Sequence, residues 1–183
     1  MSPDLFQSQR VRLTAVSKDD APVISEWHRD SEFLRLFDAL PAFPKDRSAV
    51  EKWIEQQNDN KDVFFFGIRL IDDDALIGFL ELDGILWADQ TCWLSIAIGD
   101  RSYQGKGYGE ESTRLALNYA FSELNMHRIQ LTVFSYNERA IALYERLGFR
   151  REGTHREQIL RDGKRYDMYL YGLLRREWVD QAG

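Results

Sequence analysis

The chain has 183 residues, a single cysteine and a formal net charge of -6. That length suits one domain spanning residues 1–183 with its own core, while 44% hydrophobic and 30% charged residues exclude a disordered composition. One cysteine, Cys92, excludes an intramolecular disulfide and a thiolate metal cluster, and it reads as a small buried strand residue. A pI near 5.2 argues against binding along a nucleic-acid backbone. No apolar run approaches the ~20 residues that cross a bilayer, and residues 1–10 lack a hydrophobic signal segment, so a cytoplasmic protein with no membrane partner is expected.

In chain order, residues 10–14 alternate with Val11 and Leu13 on one side, as a strand does. Ser17 followed by Asp20 is a capping signal for a helix to about His28. A Phe/Leu-rich stretch over residues 33–43 follows, whose composition suits core packing or the wall of an acceptor pocket. After Pro41 and Pro44, the spacing of Val50, Trp53, Ile54 and Gln57 predicts a helix over 47–58. Strands are expected at 63–70, 75–87 and 91–98, with Asp72 to Asp74 as a solvated turn rather than a calcium loop. Leu117, Ala120, Phe121 and Leu124 form an apolar stripe predicting a helix over 110–124. Residues 128–134 alternate as a strand, and a short helix over 138–147 runs between an N-cap at Asn137 and a stop at Gly148. The Asp162-Gly163 pair joins 158–161 to 166–173 in a hairpin. The pattern is α+β: a mixed, mostly antiparallel central sheet with helices on both faces.

One segment stands out chemically: Gln104-Gly105-Lys106-Gly107-Tyr108-Gly109, between a predicted strand and a predicted helix. Alternating glycines let a backbone approach a ligand, and free amides at a helix start attract an anion such as a pyrophosphate. The same glycines would also shape a plain tight turn. A P-loop is excluded because Lys106 is followed by Gly107, and the G-x-G-x-G spacing is not the dinucleotide fingerprint. His28, His127 and His155 show no metal spacing and read as surface or capping residues.

A second constellation, Asn137-x-x-Ala140 with Tyr144-Glu145-x-x-Gly148-Phe149, follows the first after one helix and one strand. Together, in this order, the two motifs resemble the GNAT superfamily of N-acyltransferases, in the branch of ribosomal-protein N-terminal acetyltransferases and spermidine or diamine N-acetyltransferases. The resemblance implies acetyl-CoA as co-substrate, no metal, an amine acceptor (a peptide N-terminus, a polyamine or a small molecule), and room for a homodimer. It implies that the amides of Gln104, Gly105, Lys106, Gly107, Tyr108 and Gly109 hold the CoA diphosphate, and that Ile96, Ala97 and Ile98 pair with the pantetheine arm. Asn137 would reach the pantetheine and Tyr144 would lie near the acyl sulfur. Gln104 stands where many members have arginine. Each side chain also has a plainer reading, Asn137 as an N-cap and Tyr144 as a packing ring.

Chemically, a phenol beside the sulfur can return a proton to the departing thiolate, which assigns Tyr144 as the acid. Glu81, between apolar neighbours in a strand, is the candidate base if it faces the acceptor cleft rather than solvent. A non-catalytic acyl-CoA sensor is the competing reading, and an adaptor or DNA-associated module is disfavoured by the acidic balance.

Overall fold

The computed structural model describes residues 4–182. Its strands are β1 (Val11–Ala15), β2 (Phe64–Leu70), β3 (Leu76–Leu86), β4 (Thr91–Ile98), β5 (Arg128–Phe134), β6 (Arg150–Arg161) and β7 (Lys164–Leu174). Its helices are α1 (Ala21–Trp27), α2 (Ser31–Phe37), α3 (Arg47–Asp59), α4 (Tyr108–Ser122), α5 (Glu138–Arg146) and α6 (Arg175–Ala182). The strands form one sheet in the order β1-β2-β3-β4-β5-β7-β6. Every neighbouring pair is antiparallel except β4 with β5, which run parallel.

Strand side chains alternate between two packed layers. Leu80 and Leu82 of β3 join Leu117, Phe121, Ile129 and Leu131 on the α4 face. Phe79, one residue before Leu80, points the other way into the layer of Trp27, Phe33, Val50 and Ile54 of α1 to α3. Because both faces are covered, the first seven residues of β3 are all buried; such a strand reads as an apolar run rather than an alternation.

Three elements depart from the sequence reading, one of them α6, which no pattern in the tail marked. The Phe/Leu-rich stretch contains the seven-residue helix α2, capped by the Asp30 carboxylate accepting from Glu32 N at 2.9 Å. Strand β6 starts at Arg150, well before the expected residue 158, and Ile159 is its only buried position. Its tight turn is as expected, with Asp162 and Gly163 both at positive φ, 51° and 75°, as a two-residue hairpin requires.

His28 corrects the surface reading: it is 2% exposed. Burial, and then the Lys45 charge, lower its pKa to about 4, and its Nδ1 has no hydrogen-bond partner among the described residues. The ring lies 6.0 Å from that of Phe33, in the layer between the sheet and α1 to α3.

Gly99 owes its identity to packing. A Cβ there would lie 1.9 Å from Trp27 Cδ2, inside the indole that stacks on Phe79. Gly99→Ala is therefore expected to cost about 1–3 kcal/mol as an overpacked site. Thermal unfolding should show a loss of roughly 2–4 °C per kcal/mol for a chain of this size; an unchanged midpoint would mean that the indole moves aside freely.

Candidate active site

The parallel pair β4–β5 is short. Thr91, Cys92 and Trp93 pair with Arg128, Ile129 and Gln130, and there the pairing ends. Beyond it β4 stays on β3 as far as Ile98, while β5 stays on β7 as far as Phe134. The two strands thus open a wedge in the sheet, and the β5-facing backbone groups of β4 lose their ladder partner.

Two clefts occupy this wedge. The first, of about 220 Å³, is walled by Ile96, Ala97 and Ile98 of β4, by Gln104, Gly105, Gly107 and Gly109 of the glycine segment, and by α5. The second, of about 530 Å³, lies against Ser95 of β4, Thr132 to Phe134 of β5, Asp83 and Trp93. Ile96, Asn137, Ala140 and Tyr144 border both, as do Leu36 and Phe37 of α2. The Phe/Leu-rich stretch therefore serves both uses: Leu34 is core, Phe33 is core and also borders the first cleft, and the next turn of α2 walls both clefts.

The glycine segment is shaped by backbone. Gly105 and Gly107 have φ of 74° and 85°, conformations that glycine adopts without steric cost. A Cβ at Gly105 would meet no atom within 4 Å, so that position opens onto space. Gly107 is the N-cap of α4 and supplies no side-chain cap, in contrast to Asp46 on α3 and Asn137 on α5. The first amides of α4 thus face the cleft with their partial positive charge. Lys106 and Tyr108 do not line it. The Lys106 carbonyl accepts from Arg10 Nη1 at 3.0 Å, and the Tyr108 ring lies 4.8 Å beneath the Arg10 guanidinium.

Gln104 closes one end of the cleft. Its amide donates to Ile98 O at 3.2 Å and accepts from Arg139 Nη1 on α5.

On α5, the Asn137 carbonyl accepts from Ala140 N at 3.2 Å, so the capping role is present, and the residue also borders both clefts. The helix stops as Phe149 N donates to Tyr144 O at 3.0 Å and Gly148 N to Glu145 O at 3.1 Å, with Gly148 at φ 88°. That is a Schellman turn, and its apolar contact is the Phe149 ring 5.8 Å from the Tyr144 ring. The turn fixes Tyr144 where the clefts meet. The phenol is 6% exposed and burial raises its pKa to about 12; its hydroxyl makes no hydrogen bond among the described residues.

Glu81 does not project into solvent. It is 7% exposed, its Oε1 has no partner among the described residues, and burial followed by the Asp83 charge raises its pKa to about 7. It borders neither cleft itself; Asp83, two residues along the same face, lines the second. The outer wall of that cleft, at the end of α2, is tied to the β6–β7 hairpin. Arg161 Nη2 donates to the carbonyls of Asp38, Ala39 and Leu40 at 3.0, 3.2 and 3.2 Å. Arg35 makes a bidentate pair with Asp162 at 2.8 and 2.9 Å, and Tyr136 donates its hydroxyl proton to Arg35 O at 2.7 Å.

Sequence reasoning missed several of these residues. Arg10 and Glu111 brace the glycine segment, with Glu111 accepting from Ser8 Oγ, Arg10 N and Arg10 Nε at 2.5, 2.8 and 2.8 Å; about a hundred residues separate the partners, so no local pattern marks them. Arg139 and Arg146 line the first cleft, and their seven-residue spacing, two helical turns, was the available signal.

Residues 10–150 match the acetyltransferase (GNAT) domain family. The chain is 30% identical over 178 residues to the SPbeta prophage-derived uncharacterized N-acetyltransferase YokL of Bacillus subtilis (strain 168), covering 97% of each. It is 28% identical to the [Ribosomal protein uS5]-alanine N-acetyltransferase of Escherichia coli (strain K12), covering 94% of this chain and 91% of the other. Among solved structures it resembles the spermidine N-acetyltransferase of Vibrio cholerae, crystallised in complex with CoA and spermine, with a TM-score of 0.83 at 24% identity over 92% of this chain and 98% of that one; at this identity the likeness establishes the fold. With one family spanning β1 to the end of α5, and so both the glycine segment and Tyr144, this chain belongs to the GNAT N-acetyltransferases.

Proposed function

We propose that the protein transfers an acetyl group from acetyl-CoA directly to a primary amine, with the acyl donor in the first cleft and the acceptor in the second, acting as one domain in the cytoplasm. The carrying observation is that the two clefts meet at Tyr144 and at the unpaired edge of β4. In this reading the α4 amides hold the diphosphate, β4 pairs with the pantetheine amides, and the Asn137 side chain reaches the same arm. The acetyl thioester then lies at Tyr144. Among the described helices none is long and apolar enough to cross a membrane.

The amine nitrogen attacks the thioester carbonyl, forming C–N and breaking C–S. An alkylammonium of pKa ~10.4 is uncharged in only about one part in a thousand near neutral pH, a penalty of roughly 4 kcal/mol that a base reduces. Glu81, raised toward neutrality, is a stronger base than an ordinary carboxylate yet still ionised in part. Because it borders neither cleft, it takes the proton through water. Tyr144 returns a proton to the CoA thiolate. The burial that raises the phenol also raises a thiolate formed beside it, so the two stay matched. The charged side chains lining the second cleft, Asp38 and Asp83, are both acidic, which favours a cationic acceptor such as a polyamine or a basic peptide N-terminus.

Acetyl-CoA at 100 times its Kd should add about 2.7 kcal/mol of apparent stability, a rise of about 5–10 °C in Tm; a shift with ATP or NAD but not acetyl-CoA would remove the donor assignment. Acetyl-CoA binding with no free-thiol release across a panel of polyamines, peptides and small amines would favour the sensor reading.

Tyr144→Phe keeps the ring on Phe149 and removes a hydroxyl that makes no hydrogen bond among the described residues. We expect kcat to fall by roughly ten- to a thousandfold with acetyl-CoA affinity nearly unchanged. A kcat within about twofold of the parent would leave the tyrosine a packing residue.

Glu81 and His28 should act oppositely on stability. Folded Glu81 holds its proton between 4.5 and about 7, where the unfolded carboxyl has lost it, so its contribution falls as pH rises through that window. Folded His28 stays neutral between about 4 and 6.5, where the unfolded ring is protonated, so its contribution grows with pH there. Glu81→Gln should therefore steepen the gain in stability from pH 4.5 to 6.5 seen by urea denaturation, and remove a limb near pH 7 from the rate profile. An unaltered stability slope would show that Glu81 titrates as an ordinary carboxylate.

A further inference from the structure

Glu81 borders neither cleft, but its cross-strand neighbour does. In the register of β3 with β4, Glu81 lies directly opposite Ser95. Side chains paired in this way leave the same face of the sheet, with Cβ atoms about 4.5–5.5 Å apart. A serine hydroxyl and a glutamate carboxylate can close that gap by rotation about their side-chain bonds alone. Ser95 lines the second cleft. Neither side chain makes a hydrogen bond among the described residues, and Glu81 Oε1 is buried without a partner.

The other neighbours of Glu81 offer it no donor. On its far side β2 sets Phe65 across from it. The Trp53 ring of α3 packs at 5.1 Å on Phe65 and at 5.2 Å on Phe79, two residues back along β3. Asp83, two residues on, is the charge that acts on Glu81, and an ionised carboxylate only accepts. Asp38, at the end of α2, is the other charged group on the cleft wall. A second aliphatic hydroxyl on that wall, Thr132 of β5, stands opposite Leu170 of β7 instead.

We propose that Ser95 is a proton relay joining the acceptor site to Glu81. This rests on the reading of Glu81 as the base, and it gives the water route from the cleft a fixed step. A cleft water takes a proton from the acceptor ammonium and gives one of its own to Ser95 Oγ, while the Ser95 hydroxyl proton passes to Glu81 Oε1. The amine is left neutral, the carboxylate becomes a carboxylic acid, and the water and the serine end as they began. A hydroxyl suits the position because it donates and accepts at once.

Ser95→Ala and Ser95→Thr test the relay in the full chain, with free-thiol release followed from near neutral pH upward using the amine of the panel that turns over fastest. Near neutral pH, Ser95→Ala should lower kcat by roughly ten- to a hundredfold, and Ser95→Thr should stay within about threefold of the parent. Acetyl-CoA affinity should be unchanged, because Ser95 does not line the first cleft. The loss should vanish as the pH approaches ~10.4, where the amine is neutral without help and Tyr144, raised to about 12, still holds its proton. A residue that only shapes the cleft would lose rate equally at every pH, and that result overturns the relay. Combined with Glu81→Gln, Ser95→Ala should add nothing further, since both break one path. A Glu81→Gln rate profile identical to the parent's would remove the base and the relay together. A Glu81→Gln loss that Ser95→Ala fails to reproduce would remove the relay alone. Carbon NMR of the Glu81 carboxyl gives a readout without any acceptor: Ser95→Ala should raise its midpoint by about one unit, because the ionised form loses its donor. A midpoint that stays in place would show that the hydroxyl does not reach the carboxylate, and the relay would fall.

Discussion

The wedge between β4 and β5 is the constraint from which the site follows. A parallel pair of three residues is enough to fix the two strands side by side at one end, and their other partners, β3 and β7, then draw them apart. At the other strand pairs the facing edges are bonded to each other along most of their length. Within the wedge, the backbone of β4 is left with polar groups that need partners, and a ligand carrying amides can supply them. The glycine segment, α5 and the end of α2 matter because they stand around this opening.

Rigidity at the opening is unevenly supplied. The cradle is held from beneath: Glu111 gathers Ser8 and Arg10, and Arg10 in turn holds the Lys106 carbonyl and covers Tyr108. Tyr144 is held by the turn that ends its helix. These supports use backbone geometry and charge-assisted bonds between elements, and the cleft they frame is lined by glycines and apolar side chains together with Gln104, Glu110, Asn137, Arg139 and Arg146. The buried titratable groups lie away from that cradle. Glu81 and Asp83 share one face of β3, and desolvation raises them both.

The parts of this arrangement that were legible in the sequence are those written locally. Asn137 and Gly148 bracket α5 by cap and stop chemistry, the stripe of Leu117, Ala120 and Phe121 defines α4, and Asp162-Gly163 defines a hairpin. The glycine segment could be read because positive φ at Gly105 and Gly107 leaves a compositional trace. Helix α2 was not legible: its seven residues are too few to show a period, and it is apolar on two sides, with Phe33 in the core and Phe37 at the clefts. Strand β6 lacks alternation because almost none of it is buried. Alternation put Glu81 on a strand but could not say which side of the sheet was covered, and a lone histidine carries no mark of burial. Contacts between distant residues, such as Arg10 with Glu111, exist only once the chain is folded.

The ties from the β6–β7 hairpin to α2 have a consequence for how such a protein changes over generations. The cradle and Tyr144 are specified between residues 96 and 149, whereas the outer wall of the second cleft is suspended from Arg35, Arg161 and Asp162. Turn residues at a hairpin tip tolerate replacement and insertion better than any strand interior. Drift at that tip can reshape the second cleft, the proposed acceptor site, while the proposed donor cradle is left untouched. A lineage built this way diversifies its acceptors without having to reinvent its chemistry.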